Sequence, residues 1–163
     1  MRGEWLHASD EILLRDCRLD FHKASGNGGQ KVNKTSSAVR LIHVPSGVTV
    51  SSAESRSQHE NRRHALKALR MKIALTIRET PDPAFRIGDP ATSMHNDSYP
   101  LFAAGLLDLF AASGADLKTA GETAGISASR FAKLLWRDPA LWTEANRMRA
   151  AHNLPPLKPM GNK

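Results

Sequence analysis

The sequence is poor in the features of disulfide-bonded and membrane proteins. It has one cysteine, Cys17, so no disulfide can form within the chain, and a reducing compartment is the expected setting. No apolar run approaches the roughly 18 residues of a membrane span. The early acids Glu4, Asp10 and Glu11 argue against a transit peptide. We therefore expect a cytoplasmic protein with no membrane partner, in which Cys17 is a buried or half-buried thiol rather than a nucleophile.

Several common catalytic motifs are also missing. A dinucleotide fingerprint begins at Gly26 and Gly28, but Lys31 occupies the position of its third glycine. The chain has no phosphate-binding P-loop and no Gly-x-Ser-x-Gly elbow of a serine hydrolase. Its seven histidines are scattered, and Cys17 has no Cys or His neighbour at zinc spacing. These absences predict no metal site and no small-molecule cofactor.

Positive charge is abundant and uneven. The 163-residue chain carries a net charge of +7. Residues 1–80 hold 14 Lys and Arg against 8 Asp and Glu, whereas residues 81–163 hold 9 against 8. A basic protein of this size often meets a polyanion. The excess charge therefore directs attention to the first half of the chain.

The first 80 residues are predicted to fold as an α+β domain. Ser9 is a plausible N-cap for a short helix that ends near Cys17. Alternating or apolar stretches predict strands at 18–23, 37–44 and 48–53, the last two joined by the turn Pro45–Gly47. An apolar stripe predicts a helix over 60–77, whose other surface is basic.

The second half is predicted to be helical. Prolines and small polar residues over 81–100 indicate a linker, and helices are predicted from Leu101 to Ala112 and from Asp138 to Ala151. Between them, residues 116–135 resemble a helix-turn-helix. The domains are therefore expected at 1–80, 81–100 and 101–152, followed by an extended tail at 153–163. The helical module is either a small bundle that stabilises the protein or binds a partner, or a nucleic-acid binder using Ser127, Ser129, Arg130 and Lys133. Its nearly balanced charge favours the bundle.

The stretch Ala24–Thr35 carries the most distinctive chemistry. Three glycines fall within four positions, and Gln30, Lys31 and Lys34 follow. Glycines let a main chain adopt conformations closed to other residues and enter a narrow site. The Gln30 N–H could then stabilise an oxygen on which negative charge develops, and its side-chain amide could place a water molecule.

The same stretch resembles a known family. Gly28-Gly29-Gln30 is followed by Val32-Asn33-Lys34-Thr35-Ser36-Ser37-Ala38-Val39-Arg40, by His43-x-Pro45-x-Gly47, and by Arg56-Ser57-Gln58-x-x-Asn61-Arg62. Together, in this order and spacing, these motifs are similar to the catalytic domain of class I peptide chain release factors. The resemblance covers roughly Ser9 to Leu75. It implies a small α+β domain with a short antiparallel or mixed sheet and a packed helix, followed here by the small all-α module.

The resemblance also implies a function and a site. The domain would hydrolyse the peptidyl-tRNA ester in the P site, at the peptidyl transferase centre of the large ribosomal subunit. Gly28 and Gly29 would shape the loop, and Gln30 would supply the catalytic amide and could be methylated by a glutamine methyltransferase. Contacts to 23S-type ribosomal RNA, or bracing of the loop, would fall to Ser25, Lys31, Asn33, Lys34, Arg56, Gln58, Arg62 and Arg63. For the group from Arg56 to Gln58, a structural brace within the domain is an equal alternative.

The sequence also departs from full-length release factors. It lacks their flanking domains that read stop codons, so the expected type is the short, codon-independent one that rescues stalled ribosomes. Short members usually end in a long basic tail, whereas residues 155–163 hold only Lys158 and Lys163. The alternatives are a non-catalytic ribosome- or RNA-binding module, and a DNA-binding regulator that would leave residues 1–80 unexplained.

Overall fold

The structure, a computed structural model, describes residues 1–22, 37–88 and 93–161. The chain divides into two compact units, Met1–Ile73 and Ala74–Lys163, called here the sheet unit and the helical unit. The sheet unit pairs a three-stranded antiparallel sheet with helices, so the predicted α+β class is confirmed. Within the described ranges, no helix is both long and apolar enough to cross a membrane.

The sheet unit follows the predicted order of elements, with one addition. Its elements are α1 (Arg2–His7), α2 (Asp10–Arg15), β1 (Cys17–His22), β2 (Ala38–His43), β3 (Thr49–Ser52) and all but the last turn of α3 (Gln58–Thr76). The sequence did not predict α1. The predicted N-cap is confirmed, since the Ser9 hydroxyl accepts a hydrogen bond from the Ile12 N–H at 3.3 Å.

The sheet has the order β1-β2-β3, with both strand pairs antiparallel. Val39 and Leu41 in β2 and Val50 in β3 point to the buried face, as the period of two in a strand requires. The tight turn after β2 is closed by the Gly47 N–H, which donates to the His43 carbonyl at 2.8 Å. Gly47 has φ +70°, which a side chain would strain.

The buried side of α3 completes the core of the sheet unit. Its inward residues recur at helical spacing: Ala65, Leu66, Leu69 and Ile73. The helix ends at Thr76, one residue before the predicted end, and it begins two residues earlier, at Gln58. Helix ends routinely differ by this much.

The helical unit contains α4 (Tyr99–Ala112), α5 (Leu117–Ala124), α6 (Ala128–Trp136) and α7 (Pro139–Ala151). Helix α4 begins at Tyr99, two residues inside the predicted linker. Pro100 fits there because the first N–H groups of a helix have no partner within the helix, so the missing N–H of proline costs no hydrogen bond. In the segment before it, the Phe85 ring lies 6.0 Å from that of Phe102. The predicted division at residues 80, 100 and 152 stays a prediction.

Buried aromatic and aliphatic side chains hold the helical unit together. Phe110 stacks on Phe131 with ring centroids 5.9 Å apart, and Leu106, Leu135 and Leu141 of the same unit are fully buried. Beyond α7, the tail is fixed to the same unit. Its Leu157 is buried, and the Leu157 N–H donates to the Asn146 side-chain carbonyl at 2.7 Å.

Candidate functional site

The predicted catalytic residues Gly28, Gly29 and Gln30 lie outside the described residues, as do Ser25, Lys31, Asn33 and Lys34. The strands on either side of them are described. β1 ends at His22 and β2 begins at Ala38, and these two residues are register partners in the antiparallel pair. Such partners lie about 5 Å apart. The segment between them therefore leaves and re-enters the fold at one place.

Asn61, in the first turn of α3, is tied to the residue that precedes β2. Its side chain is fully buried. The Asn61 amide group donates to the carbonyl oxygens of Ser37 and Ser55, both at 2.7 Å. Its side-chain oxygen accepts from the Ser55 N–H at 2.8 Å and from the Ser52 hydroxyl at 3.5 Å. One buried amide thus joins the start of β2, the end of β3 and the start of α3.

The loop before α3 supports this amide with its own hydrogen bonds. The Ser55 hydroxyl donates to the Glu60 carboxylate and accepts from the Ser57 N–H at 3.1 Å. The Ser57 hydroxyl accepts from the Glu60 N–H at 3.3 Å, as an N-cap serine does for the third residue of a helix. The backbone that Asn61 binds is therefore itself fixed.

Sequence reasoning included Asn61 in a motif but gave it no role. The signal was its position, since Asn61 is four residues before Ala65 and eight before Leu69, on the apolar stripe of α3. A polar residue on a buried stripe needs hydrogen-bond partners within the fold. Nothing in the sequence identifies Ser37 and Ser55 as those partners.

The predicted contact residues on α3 and before it are mostly at the surface. Arg56, Gln58 and Arg63 are exposed, and Arg62 is half-buried. An Arg62 guanidinium nitrogen lies 3.3 Å from His59 Nδ1. For the group from Arg56 to Gln58, the two alternatives, RNA contact and structural brace, stay predictions. Asn61, three residues beyond Gln58, forms an internal brace.

Further along α3, two basic side chains bind groups within the sheet unit. Arg70 pairs with Asp10 at 2.7 Å and donates to the Ala8 carbonyl at 2.6 Å. Lys72 donates to the Thr49 carbonyl at 2.7 Å. These two cations hold the N-terminal segment and β3 against α3. The basic side chains in the first half of the helix are therefore the better candidates for contacts outside the fold.

The buried histidine of β2, His43, is a poor acid–base catalyst. His43 is fully buried, its Nδ1 lies 2.7 Å from the Ser46 hydroxyl, and its ring packs edge-on against Trp5 at 4.8 Å. Burial lowers the pKa of His43, against an opposing effect of Asp16, so the imidazole is held neutral.

The Cys17 thiol is equally unsuited to nucleophilic attack. Burial, helped by the Asp16 charge, raises the pKa of Cys17 to about 11, and its sulfur donates to the Leu13 carbonyl at 3.2 Å. The half-buried thiol expected from the sequence is confirmed. Across the three described ranges, no cluster of three or more His, Cys, Asp or Glu could hold a metal ion.

Comparison with known proteins matches residues 7–89 to the RF-1 domain. This range includes the glycine-rich stretch, the sheet and Asn61. Peptide chain release factor 1 of Aliarcobacter butzleri (strain RM4018) is 51% identical over 63 residues, which are 39% of this chain and 18% of that protein. Peptide chain release factor 2 of Campylobacter fetus subsp. fetus (strain 82-40) is 51% identical over 63 residues, 39% of this chain and 17% of that protein.

A third relative is peptide chain release factor 1 of Lacticaseibacillus casei (strain BL23). It is 54% identical over 68 residues, which are 39% of this chain and 19% of that protein. The chain thus spans about a fifth of the length of the curated relatives it matches. The domain match extends over half of the chain, and the order of the motifs and the α+β fold agree with it. The chain therefore belongs to the RF-1 domain family, that of the class I peptide chain release factors.

Proposed function

We propose that this chain hydrolyses the ester that joins a nascent peptide to P-site tRNA on the large ribosomal subunit. The observation that carries the proposal is the intact Gly28-Gly29-Gln30 sequence, placed between two paired strands of an RF-1 domain. The relatives that match this domain are named as peptide chain release factors. Residues 1–80 would form the hydrolase domain.

In this mechanism the reactive group belongs to the main chain. Water attacks the ester carbonyl carbon, negative charge develops on oxygen, and the bond between that carbon and the tRNA ribose oxygen breaks. The ribose oxygen takes up a proton lost by the water and leaves as a hydroxyl group. The Gln30 N–H stabilises the charged oxygen, while the glycines allow the backbone to approach it. The Gln30 side chain helps to place the water. Buried His43, whose pKa is lowered, and half-buried Cys17, whose pKa is raised to about 11, are unsuited to replace the main chain in this role.

The surrounding charge would hold the loop in place against RNA. Arg56, Gln58 and Arg63 are exposed, and Arg62 is half-buried, so all four can be reached from outside. Cationic side chains bind RNA phosphates largely without regard to sequence. Ser25, Lys31, Asn33 and Lys34 would add contacts beside the catalytic residues. Methylation of Gln30 by a glutamine methyltransferase would change its side chain but leave the catalytic N–H in place.

Release by this chain would not depend on a stop codon. The RF-1 domain match ends at residue 89, so residues 90–163, most of the helical unit, lie outside the match. Selection of the substrate would then depend on the state of the ribosome and not on the codon in the A site. Ribosomes stalled at the end of a truncated message would be the substrate.

A peptide-release assay tests the proposal directly. Purified chain is added to ribosomes carrying labelled peptidyl-tRNA in the P site, either with no message beyond it or with intact message containing a sense codon. We expect release on the truncated complex, loss of release for Gly28→Ala and Gly29→Ala, and partial activity for Gln30→Ala. Ribosome binding by the glycine variants, measured by co-sedimentation, should match the unmodified chain. Binding without release by the unmodified chain would instead support a non-catalytic module.

A further inference from the structure

The helical unit presents a rigid pair of helices, α5 and α6. Gly125 ends α5 with φ +70°, a left-handed conformation that stops a helix without strain only in glycine. At Gly121 an added Cβ would lie 2.8 Å from the Ile126 carbonyl oxygen, so the turn packs directly on the α5 backbone. The Ser127 hydroxyl then caps α6 by accepting from the Arg130 N–H at 3.2 Å. The direction of α6 relative to α5 is thereby fixed.

The two faces of α6 differ sharply in chemistry. Phe131, Ala132 and Leu135 are buried in the unit. Ser129, Arg130 and Lys133 are exposed, and the two cations are three residues apart, on one side of the helix. No acidic residue occurs between positions 126 and 137. Within the described part of the chain, neither Arg130 nor Lys133 makes an ion pair.

The acids that flank this pair of helices are used as helix caps. Asp116 accepts from the Thr119 N–H at 2.8 Å and hydroxyl at 2.9 Å, and these bonds lower the pKa of Asp116. Asp138 is buried and accepts from the Tyr99 hydroxyl and the Ala140 N–H, each at 2.8 Å. These carboxylates have partners of their own. The helical unit as a whole is therefore nearly balanced in charge, whereas the exposed face of α6 is cationic.

We propose that the exposed face of α6, formed by Ser129, Arg130 and Lys133, binds the phosphate backbone of duplex RNA. Two cations and a hydroxyl are phosphate ligands, and a helix-turn-helix commonly presents its second helix to a nucleic-acid duplex. The exposed face has no Asn or Gln with which to read adenine, so contact is to backbone and not to sequence. An A-form duplex would meet the helix across its wide minor groove and phosphates.

An RNA partner fits this face better than a protein partner. None of the large hydrophobic side chains that are exposed in the described residues belongs to α6. Protein interfaces normally have an apolar or aromatic centre, which this face lacks. The choice of RNA over DNA rests on the proposed function, since the substrate of that function is a ribosome. The sequence favoured a stabilising bundle for this module, and the arrangement of charge on α6 now favours binding.

The test measures binding of the full chain to a 20-base-pair RNA duplex by fluorescence anisotropy, at several salt concentrations. The test variant is Arg130→Gln with Lys133→Gln. The matched control is Arg147→Gln with Lys158→Gln, which removes the same charge from two other exposed positions of the unit. Glutamine preserves helix propensity, so both variants should fold, which thermal melting checks. No ribosome is needed, so failure of the proposed release activity would not affect the result.

We expect the α6 variant to bind more than about tenfold more weakly than the unmodified chain at 0.1 M salt. We also expect the magnitude of the slope of log affinity against log salt to fall by about 1.8, the share of two phosphate contacts on a duplex. The control should bind as the unmodified chain does. Equal losses in both variants, or an unchanged slope for the α6 variant, would overturn the proposal. Tighter binding to a DNA duplex of the same length, or to polyglutamate, would assign the face to another partner.

Discussion

Replacing Asn61 by alanine should destabilise the sheet unit far more than a substitution in the first turn of a helix normally does. The change removes three hydrogen bonds of 2.7–2.8 Å and one of 3.5 Å. A hydrogen bond contributes about 1 kcal/mol net, and the small cavity adds to the loss. We therefore expect the free energy of unfolding to fall by about 3–4 kcal/mol.

The measurement is urea unfolding followed by the fluorescence of Trp5, which packs against His43. The other two tryptophans, Trp136 and Trp142, lie in the helical unit, so both are first replaced by phenylalanine. With a urea dependence of about 1.5 kcal/mol per M, Asn61→Ala should lower the midpoint by about 2 M. The control Ser52→Ala removes only the 3.5 Å bond and should cost under about 1 kcal/mol.

A second substitution, Asn61→Asp, separates donor from acceptor. Aspartate keeps an oxygen for the Ser55 N–H but places a carboxylate against the carbonyl oxygens of Ser37 and Ser55, where the amide donated before. Protonation restores one donor. The Asp variant should therefore regain stability relative to Asn61→Ala as the pH is lowered from 7 to 4. If Asn61→Ala costs no more than Ser52→Ala, or if the Asp and Ala variants respond alike to pH, the amide does not brace the unit.

Three further outcomes follow from other groups. Because burial lowers the pKa of His43, the unfolded chain binds the extra proton, so stability should fall as the pH drops below about 6.5, and His43→Gln should flatten that dependence in urea titrations. Since the pKa of Cys17 is raised to about 11, an aromatic disulfide reagent at pH 8 should modify the folded chain far more slowly than the urea-unfolded one. Gly121→Ala should destabilise the helical unit by about 1–3 kcal/mol in thermal melts despite a better helix propensity, whereas Gly88→Ala, with open space around it, should not.

Most of the fold could be read from the sequence because its local signals agree. The stripe Leu66, Leu69 and Ile73 predicted α3, and Pro45 and Gly47 predicted the hairpin turn, both within a few residues of the observed bounds. Helix α1 was not predicted because it has six residues and an internal glycine. A contact that is distant in sequence supports this helix, since Trp5 packs against His43, the last residue of β2.

The candidate site could be predicted only in part, because its contacts also join residues that are distant in sequence. The motif identified Asn61, but its partner Ser37 is 24 residues away, and only the fold brings them together. The charges of α3 show the same limit. Arg63, Arg70 and Lys72 are alike in sequence, yet Arg63 is exposed while Arg70 and Lys72 bind other parts of the unit. Composition measures how much charge there is and not how much of it is available.

Under the proposed function the catalytic group belongs to the main chain, so the Asn61 hydrogen bonds would affect the rate of release as well as stability. A side-chain catalyst can adjust by changing rotamer, whereas a backbone N–H is placed by where its segment leaves and rejoins the fold. Here those points are the His22–Ala38 pair and Ser37, which Asn61 binds. Under the proposed function, Asn61→Ala, assayed where it is still folded, should lower the maximal release rate more than it weakens ribosome binding. It should do so more severely than Gln30→Ala, which keeps the N–H that the mechanism uses.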